Sequence, residues 1–109
     1  MPEINVEEIM RSIPDHFVPE KAAGMDATIQ CIFSGDQASN WVITIQNQTC
    51  TVKEDLADDP DITIRADAEV GTKILTGRMD PMRAYLLRKV RVSGDMSIGM
   101  KLVDLFAMA

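Results

Sequence analysis

Four short runs in which apolar and polar residues alternate constrain the fold of this chain more than any other feature. They span residues 26–33, 41–46, 49–53 and 61–67. Because successive side chains of a β-strand point to opposite faces, each run predicts a strand with one buried face. Turn-forming residues at 34–40 and the dipeptide Asn47-Gln48 separate the first three runs, so these three are predicted to form an antiparallel meander.

Apolar residues at helical spacing lie before and after these strands. Residues 4–13 predict an amphipathic helix that Pro14 ends, and Pro19 is expected to open a short turn that reaches residue 24. Residues 68–76 predict a second helix, followed by Gly77 in the left-handed conformation that often ends helices. The pair Asp80-Pro81 predicts the start of a third helix, with the aspartate as N-cap.

The last part of the chain completes a mixed architecture. Residues 90–92 predict a short edge strand, and Asp95 is expected to cap a final helix with Met96 and Met100 in its apolar stripe. Alternating strands bury one face, and helices with apolar stripes must cover it. We therefore predict a single α+β domain over residues 1–109, with a five-stranded mainly antiparallel sheet covered on one face by about five helices.

The charge of the chain limits its partners. Seventeen acidic and eleven basic residues give a formal charge of −6, which argues against a nucleic-acid partner. Five of the basic residues nevertheless cluster: Arg78, Arg83, Arg88, Lys89 and Arg91. The cluster is interpreted as a solvated face, as a contact for a lipid headgroup or carboxylate, or as a nucleic-acid surface, the last being least compatible with the total charge.

Targeting signals are not evident in the sequence. No stretch approaches the run of about 20 apolar residues that crosses a bilayer. The N-terminal residues lack the basic and apolar regions of a secretory signal, and the C-terminal residues do not form a peroxisomal address. We expect no transmembrane segment and a cytoplasmic location.

The sequence holds few groups for catalysis. Cys31 and Cys50 lie in apolar or β-branched runs without the CxxC spacing of metal or redox sites, and His16 is the single histidine. Nucleophile–base, nucleotide-binding and metalloprotease motifs are missing. The acidic residues between Asp55 and Asp61 lack the EF-hand pattern and predict a solvated loop. We expect no catalytic residue, no metal and no cofactor, and the chain is predicted not to be an enzyme.

Methionine is unusually frequent in the C-terminal third of the chain. Of eight methionines, five fall there: Met79, Met82, Met96, Met100 and Met108. Such flexible, polarizable side chains suit ligands of varied shape, but a methionine stripe at helical spacing more often fills a core. Composition leaves both interpretations open. The last helix is apolar around most of its surface, so it is expected to be deeply buried or to act as a lid.

Several segments together resemble the sterol carrier protein type 2 family. The segments GRMDPMRAY (77–85), KVRVSGDM (89–96) and MKLVDLF (100–106) resemble the C-terminal signature of these domains in order and spacing. Upstream, WVITI (41–45) and PDITI (60–64) resemble the same family. The similarity extends over residues 4–107, nearly the whole chain.

The sequence departs from this family in two places. Arg88 stands where a glycine commonly precedes the basic strand, and the turn formed by Gln46, Asn47 and Gln48 lacks the usual glycine. These departures affect the expected geometry of two turns.

The resemblance implies a sheet with helices over one face, enclosing an apolar tunnel for sterols, fatty acids or fatty acyl groups. Members of the family carry lipid without converting it, and the last helix helps to close the tunnel. Removal of alkyl chain from water would drive binding. The residues predicted to line the tunnel are Phe33, Trp41, Ile43, Ile45, Ile64, Leu75, Met79, Met82, Tyr85, Leu86, Met96, Met100, Val103 and Phe106.

A carboxylate or acyl headgroup is predicted to be held at the mouth of the tunnel by Arg78, Arg83 or Arg88. Two alternatives to a lipid carrier are an interaction domain with a filled core and an accessory module of a lipid- or quinone-metabolising enzyme. Because the domain is small and has edge strands, a homodimer is a further expectation.

Overall fold

The computed structural model describes residues 5–105. Within this range the chain forms five strands: β1 (Ala27–Ser34), β2 (Ser39–Gln46), β3 (Thr49–Glu54), β4 (Ile62–Asp67) and β5 (Val90–Gly94). The helices are α1 (Val6–His16), α2 (Ala68–Leu75), α3 (Pro81–Leu86) and α4 (Met96–Leu105), with a 3₁₀ turn at Pro19–Ala22. The α+β class and the order of the elements agree with the prediction, but four α-helices and one 3₁₀ turn replace the expected five helices.

The five strands form one sheet in the order β3-β2-β1-β4-β5. Three of the neighbouring pairs are antiparallel, which confirms the mainly antiparallel sheet and the meander of β1 to β3. The central pair, β1 with β4, is parallel. In this register Ile29 lies beside Ile43 on one side and beside Ile62 on the other, so three isoleucines form a row across the middle of the sheet.

The sheet buries the face that carries these isoleucines. The other apolar members of the same alternating sets, Cys31 and Phe33, are also buried. The first helix covers the β3 side of this face and adds Met10 and Ile13 to the core, whereas α3 and α4 lie near β5. Between them, α2 contacts the interior strands β1 and β4 and also α1, so the helical cover extends across the middle of the sheet.

The opposite face of the sheet carries one buried amide. The side-chain nitrogen of Gln30 donates to the carbonyl oxygens of Trp41 at 3.0 Å and Asp55 at 3.2 Å. Its side-chain oxygen accepts the backbone N–H of Ala57 at 2.6 Å. Because both ends of the amide are satisfied, burial of this polar side chain is tolerated, and the start of the acidic loop is fixed against the sheet.

The prediction that Pro14 ends the first helix is wrong, because α1 continues to His16. A proline removes one intrahelical hydrogen bond, the one to the carbonyl of Met10, but its fixed φ angle is itself compatible with a helix. In the last turn this loss is small. The chain leaves the helix only after the backbone N–H of Phe17 donates to the carbonyl of Pro14 at 3.3 Å.

Among the turns with a positive φ angle, three concern the sequence predictions. Gly77 follows α2 with φ of 77°, as predicted, and Arg88 occupies the equivalent position after α3 with φ of 62°. At both sites the left-handed residue and the one after it donate to carbonyls of the last helical turn, which is the Schellman arrangement. Asn47 and Gln48 have φ of 52° and 58°, as in a type I′ hairpin turn. Both departures from the family's glycine pattern therefore occur where the backbone favours glycine.

Candidate functional site

A cavity of about 540 Å³ lies between the buried face of the sheet and the helices. The sheet contributes the residues Ile29, Cys31, Phe33, Ile43, Ile62, Ile64, Ala66, Val90 and Val92. The helices and their connections contribute Met10, Ile13, Gly71, Ile74, Leu75, Gly77, Met79, Asp80, Pro81, Met82, Tyr85, Met96, Gly99, Met100 and Leu102. The volume falls within the range of sites that enclose small organic ligands.

The wall of this cavity is almost entirely apolar. Among the described residues that line it, Asp80 carries the one charged side chain, and Tyr85 adds a hydroxyl. Asp80 occupies the N-cap position of α3 as predicted, but its side chain makes no capping hydrogen bond. A site of this kind can bind by removing apolar surface from water, with very few polar groups to orient a ligand.

The mouth of the cavity lies between α3 and α4. Four residues that line the cavity are also exposed there: Met82 at 41%, Tyr85 at 39%, Met96 at 42% and Met100 at 59%. At the other end, Ile29 on the sheet is fully buried. The cavity therefore runs from a rim rich in methionine to the middle of the sheet.

Two glycines beside this cavity let side chains of the sheet pack directly against the helices. A Cβ atom at Gly71 would collide with the ring of Phe33, and one at Gly99 would lie 3.0 Å from Cδ1 of Ile62. Glycine inside a helix costs roughly 1 kcal/mol relative to alanine, so its presence in α2 and α4 signals a packing requirement. That signal could have identified both positions from the sequence.

The structure brings nine of the residues predicted to line a tunnel onto the wall of this one cavity. They are Phe33, Ile43, Ile64, Leu75, Met79, Met82, Tyr85, Met96 and Met100. Phe106 and the side chain of Val103 lie outside the described part of the chain. That these residues bind a ligand stays a prediction.

Three other predicted residues lie away from the cavity wall. Trp41 and Ile45 are buried in the core, and the indole N–H of Trp41 donates to Oγ of Ser39 at 2.8 Å. The guanidinium of Arg11 on α1 lies 5.3 Å from the centre of the indole ring. Leu86 is exposed at the end of α3. Trp41 therefore belongs to the packing of α1 on the sheet.

Some residues of the cavity wall were not predicted to line a tunnel, although the alternation of apolar and polar residues along the strands places them on the same face. Ile29 and Cys31 share the face of Phe33 on β1, and Ile62 and Ala66 share the face of Ile64 on β4. Period-two alternation places them on the same side. Met10 and Ile13 reach the cavity from α1, a contact that no local pattern indicates.

The three arginines predicted to hold a headgroup are exposed, and none of them lines the cavity. Arg78 lies in the connection before α3, Arg83 lies on α3 beside the rim residues, and Arg88 lies in the turn after α3. Arg88 also borders a shallower depression beside the rim. Contact between these arginines and a ligand stays a prediction.

The cavity offers little reactive chemistry. Burial raises the pKa of the Cys31 thiol to about 12 and that of the Cys50 thiol to about 11, so both are neutral near pH 7. Among the side chains that the structure describes, no group of histidine, cysteine or carboxylate residues could hold a metal ion. None of the described helices is long and apolar enough to span a bilayer.

Comparison with known proteins matches this chain to one family. The model of the SCP-2 sterol transfer family matches residues 6–107. Hydroxysteroid dehydrogenase-like protein 2 of Xenopus laevis is 24% identical over 98 residues, which are 89% of this chain and 24% of that protein. Sterol carrier protein 2 of Rattus norvegicus is 32% identical over 72 residues, or 65% of this chain and 13% of that protein. The chain therefore spans a quarter or less of these relatives.

Solved structures share the fold. The solution structure of palmitated SCP2L2 from Aedes aegypti superposes with a TM-score of 0.72 at 20% identity, covering 93% of each chain. The family match spans nearly all of the described residues, including every strand and the helices that form the cavity. The chain therefore belongs to the SCP-2 sterol transfer family.

Proposed function

We propose that the chain binds and carries a hydrophobic ligand, such as a fatty acid, a fatty acyl group or a sterol-like lipid, without converting it. The observation that carries this proposal is the apolar cavity of about 540 Å³ that opens between exposed methionines. Family membership supports it, as does the mosquito relative of the same fold, which was solved as a palmitated protein.

The affinity of such a site depends on the length of alkyl chain that it encloses. Each buried methylene contributes about 0.8 kcal/mol, which corresponds to roughly a fourfold change in Kd. Ten methylenes would contribute about 8 kcal/mol, from which the cost of association, at least about 4 kcal/mol, is subtracted. We therefore expect Kd to fall about fourfold per methylene until the cavity is filled and then to level off.

The polar end of the ligand is expected at the mouth. There Asp80 would repel a carboxylate, whereas Arg78, Arg83 and Arg88 would attract it. Comparison of a fatty acid with the alcohol of equal chain length separates these effects. If an arginine holds the carboxylate, the acid binds more tightly, and Arg83→Gln together with Arg78→Gln reduces the difference. Tighter binding of the alcohol would assign the dominant role to Asp80.

A binding experiment with one blocking variant tests the carrier function. Native mass spectrometry of the purified chain, followed by solvent extraction, would reveal a bound lipid, and a fluorescent fatty acid would give the affinity. Ile64 lines the cavity from β4, whereas Thr63 lies on the opposite face of the same strand. Ile64→Trp should abolish binding, and the matched control Thr63→Trp should retain it. A chain that is lipid-free and takes up no fluorescent fatty acid refutes the carrier.

A second candidate is an accessory module of a lipid- or quinone-metabolising enzyme. The match to a hydroxysteroid dehydrogenase-like protein that is about four times longer favours this role. It predicts that the chain co-purifies with such an enzyme and that Ile64→Trp leaves the complex intact. The cytoplasmic location and the homodimer expected from the sequence stay predictions, to be tested by cell fractionation and analytical ultracentrifugation.

A further inference from the structure

We propose that the exposed surface formed by residues 78–91, here called the α3 corner, docks on an anionic lipid bilayer and turns the cavity mouth toward it. This inference rests on the proposed carrier function and adds where the ligand is exchanged. Two independent features support it, namely the distribution of exposed apolar side chains and the distribution of charge.

Exposed apolar residues are concentrated at one end of the described structure. Six of its seven exposed large apolar side chains lie at the rim or on the α3 corner: Met82, Tyr85, Leu86, Leu87, Met96 and Met100. Leu86 is 74% exposed and Leu87 is 57% exposed, although neither lines the cavity. Single exposed apolar residues are ordinary, but a contiguous group marks an interaction surface.

The charge of the corner is opposite to that of the rest of the chain. Residues 78–91 contain five basic residues and one acidic residue, whereas the remaining residues contain six basic and sixteen acidic ones. All five basic side chains are exposed, and the described ion pairs involve Arg11, Lys53 and Lys73 instead. An anionic surface would therefore attract the corner and repel the remainder, which orients the protein.

Exposed apolar side chains and basic side chains lie together in one depression of the α3 corner. A shallow depression of about 480 Å³ beside the cavity is lined by Tyr85, Leu86, Arg88, Val90, Arg91 and Val92. Alternating basic and apolar side chains of this kind suit the boundary between headgroups and acyl chains, where arginine meets phosphate and leucine enters the hydrocarbon. Tyrosine is also favoured at that boundary.

A bilayer accounts for these observations better than an acidic protein partner. Four of the exposed apolar side chains line the cavity at its mouth, through which an alkyl ligand must pass, and Leu86 and Leu87 directly follow the rim residue Tyr85. If the mouth opened into water, the alkyl chain of the ligand would be exposed to water during transfer. Each exposed methylene would lower the rate of transfer about fourfold. A mouth pressed against a membrane avoids this loss. An acidic protein would be drawn by the charge but would not require the leucines near the mouth.

Vesicle flotation of the full chain tests the proposal. Phosphatidylcholine vesicles are compared with vesicles that also contain phosphatidylserine, at low and high salt. We expect binding to the anionic vesicles only, and weaker binding at high salt. The combined change Leu86→Ser and Leu87→Ser should reduce vesicle binding at least tenfold. The matched control Leu56→Ser alters a leucine that is 61% exposed in a distant loop and should have no effect.

A charge pair of variants gives a second measurement. Lys89→Gln with Arg91→Gln should weaken binding to anionic vesicles about 25-fold, at roughly fivefold for each basic residue. Lys21→Gln with Lys53→Gln removes two exposed lysines outside the corner and should not weaken binding. No binding to anionic vesicles, or equal loss in corner and control variants, overturns the proposal.

The same proteins are titrated with a fluorescent fatty acid without vesicles, which separates the two proposals. The leucine and charge variants should bind this ligand normally. If the unmodified chain binds fatty acid but no vesicles, the membrane surface is refuted and the carrier function stands. If it binds vesicles but no fatty acid, docking stands as a surface property, and the carrier function on which the ligand-exchange role rests is refuted.

Discussion

Substitution of Ala66 by leucine should stabilise the ligand-free protein and weaken ligand binding at the same time. Ala66 is 9% exposed, lies in the middle of the sheet on β4 and lines the cavity. The larger side chain adds about three carbon atoms in space that is otherwise empty, worth about 2.4 kcal/mol. Ordering a buried leucine costs about 0.5–1 kcal/mol, which leaves a gain of about 1.5 kcal/mol in the free energy of unfolding.

The same three carbons occupy volume that a ligand would use. If they displace about three methylenes at about 0.8 kcal/mol each, Kd should rise about 60-fold. Urea denaturation of delipidated protein measures the stability, and titration with a fluorescent fatty acid measures the affinity. A higher free energy of unfolding together with a weaker affinity for the fatty acid would indicate an empty cavity that serves as the binding site.

Ala84 supplies the matched control for this substitution. It lies on α3, is fully buried and does not line the cavity. Ala84→Leu should therefore overpack the core and destabilise the protein by about 1–3 kcal/mol. If Ala66→Leu destabilises to a similar extent, the space beside Ala66 is not empty in solution. If it stabilises the protein but leaves Kd unchanged, the ligand occupies another site. Either result refutes the reasoning.

Three further predictions concern single residues. Arg88→Gly should stabilise the protein by about 0.5–1 kcal/mol in urea denaturation, because glycine removes most of the cost of a left-handed backbone; an unchanged midpoint would contradict this strain. The Ser97 hydroxyl and backbone N–H lower the pKa of Asp95, so its stabilising effect should be present above pH 4 and lost as the pH falls through that lowered pKa. Asp95→Ala should consequently reduce the melting temperature at pH 7 and match the unmodified chain in strong acid, whereas an equal reduction at both pH values would exclude the linkage. Cys31 should react with iodoacetamide more slowly than Cys50 at pH 8, and a bound ligand should slow it further; equal rates would show that the cavity wall is open.

Most of the secondary structure could be predicted because the alternating runs are short, regular and separated by turn residues. The hairpins required only local information, since Asn47-Gln48 leaves no room for another connection. The parallel pairing of β1 with β4 could not be predicted in this way. It depends on where the loop after β3 crosses the sheet, and residues such as Gln30 hold that loop through contacts distant in sequence.

The cavity was less predictable than the sheet. Ile43 and Ile45 lie on one face of β2 and have equivalent local patterns, yet only Ile43 reaches the cavity. The difference arises because α1 covers the β3 side of the sheet. The alternating pattern of a strand shows which face is buried, but it does not show how far along that face a helix extends. Leu86 follows Met82 by four residues, a spacing that places two side chains on one helical face, yet Leu86 is exposed and does not line the cavity. The α3 helix ends at Leu86, where the chain turns outward.

The methionines of the cavity wall differ in their exposure to solvent. Met10 lines the cavity from α1, is fully buried and also belongs to the core. Met82, Met96 and Met100 are 41%, 42% and 59% exposed and still line the cavity, so core filling does not explain them. An unbranched thioether changes rotamer at low cost, whereas β-branched residues are stiff at χ1. If the cavity takes a ligand as proposed, a rim built from these methionines would admit it by side-chain motion alone, while α3 and α4 keep their places on the sheet.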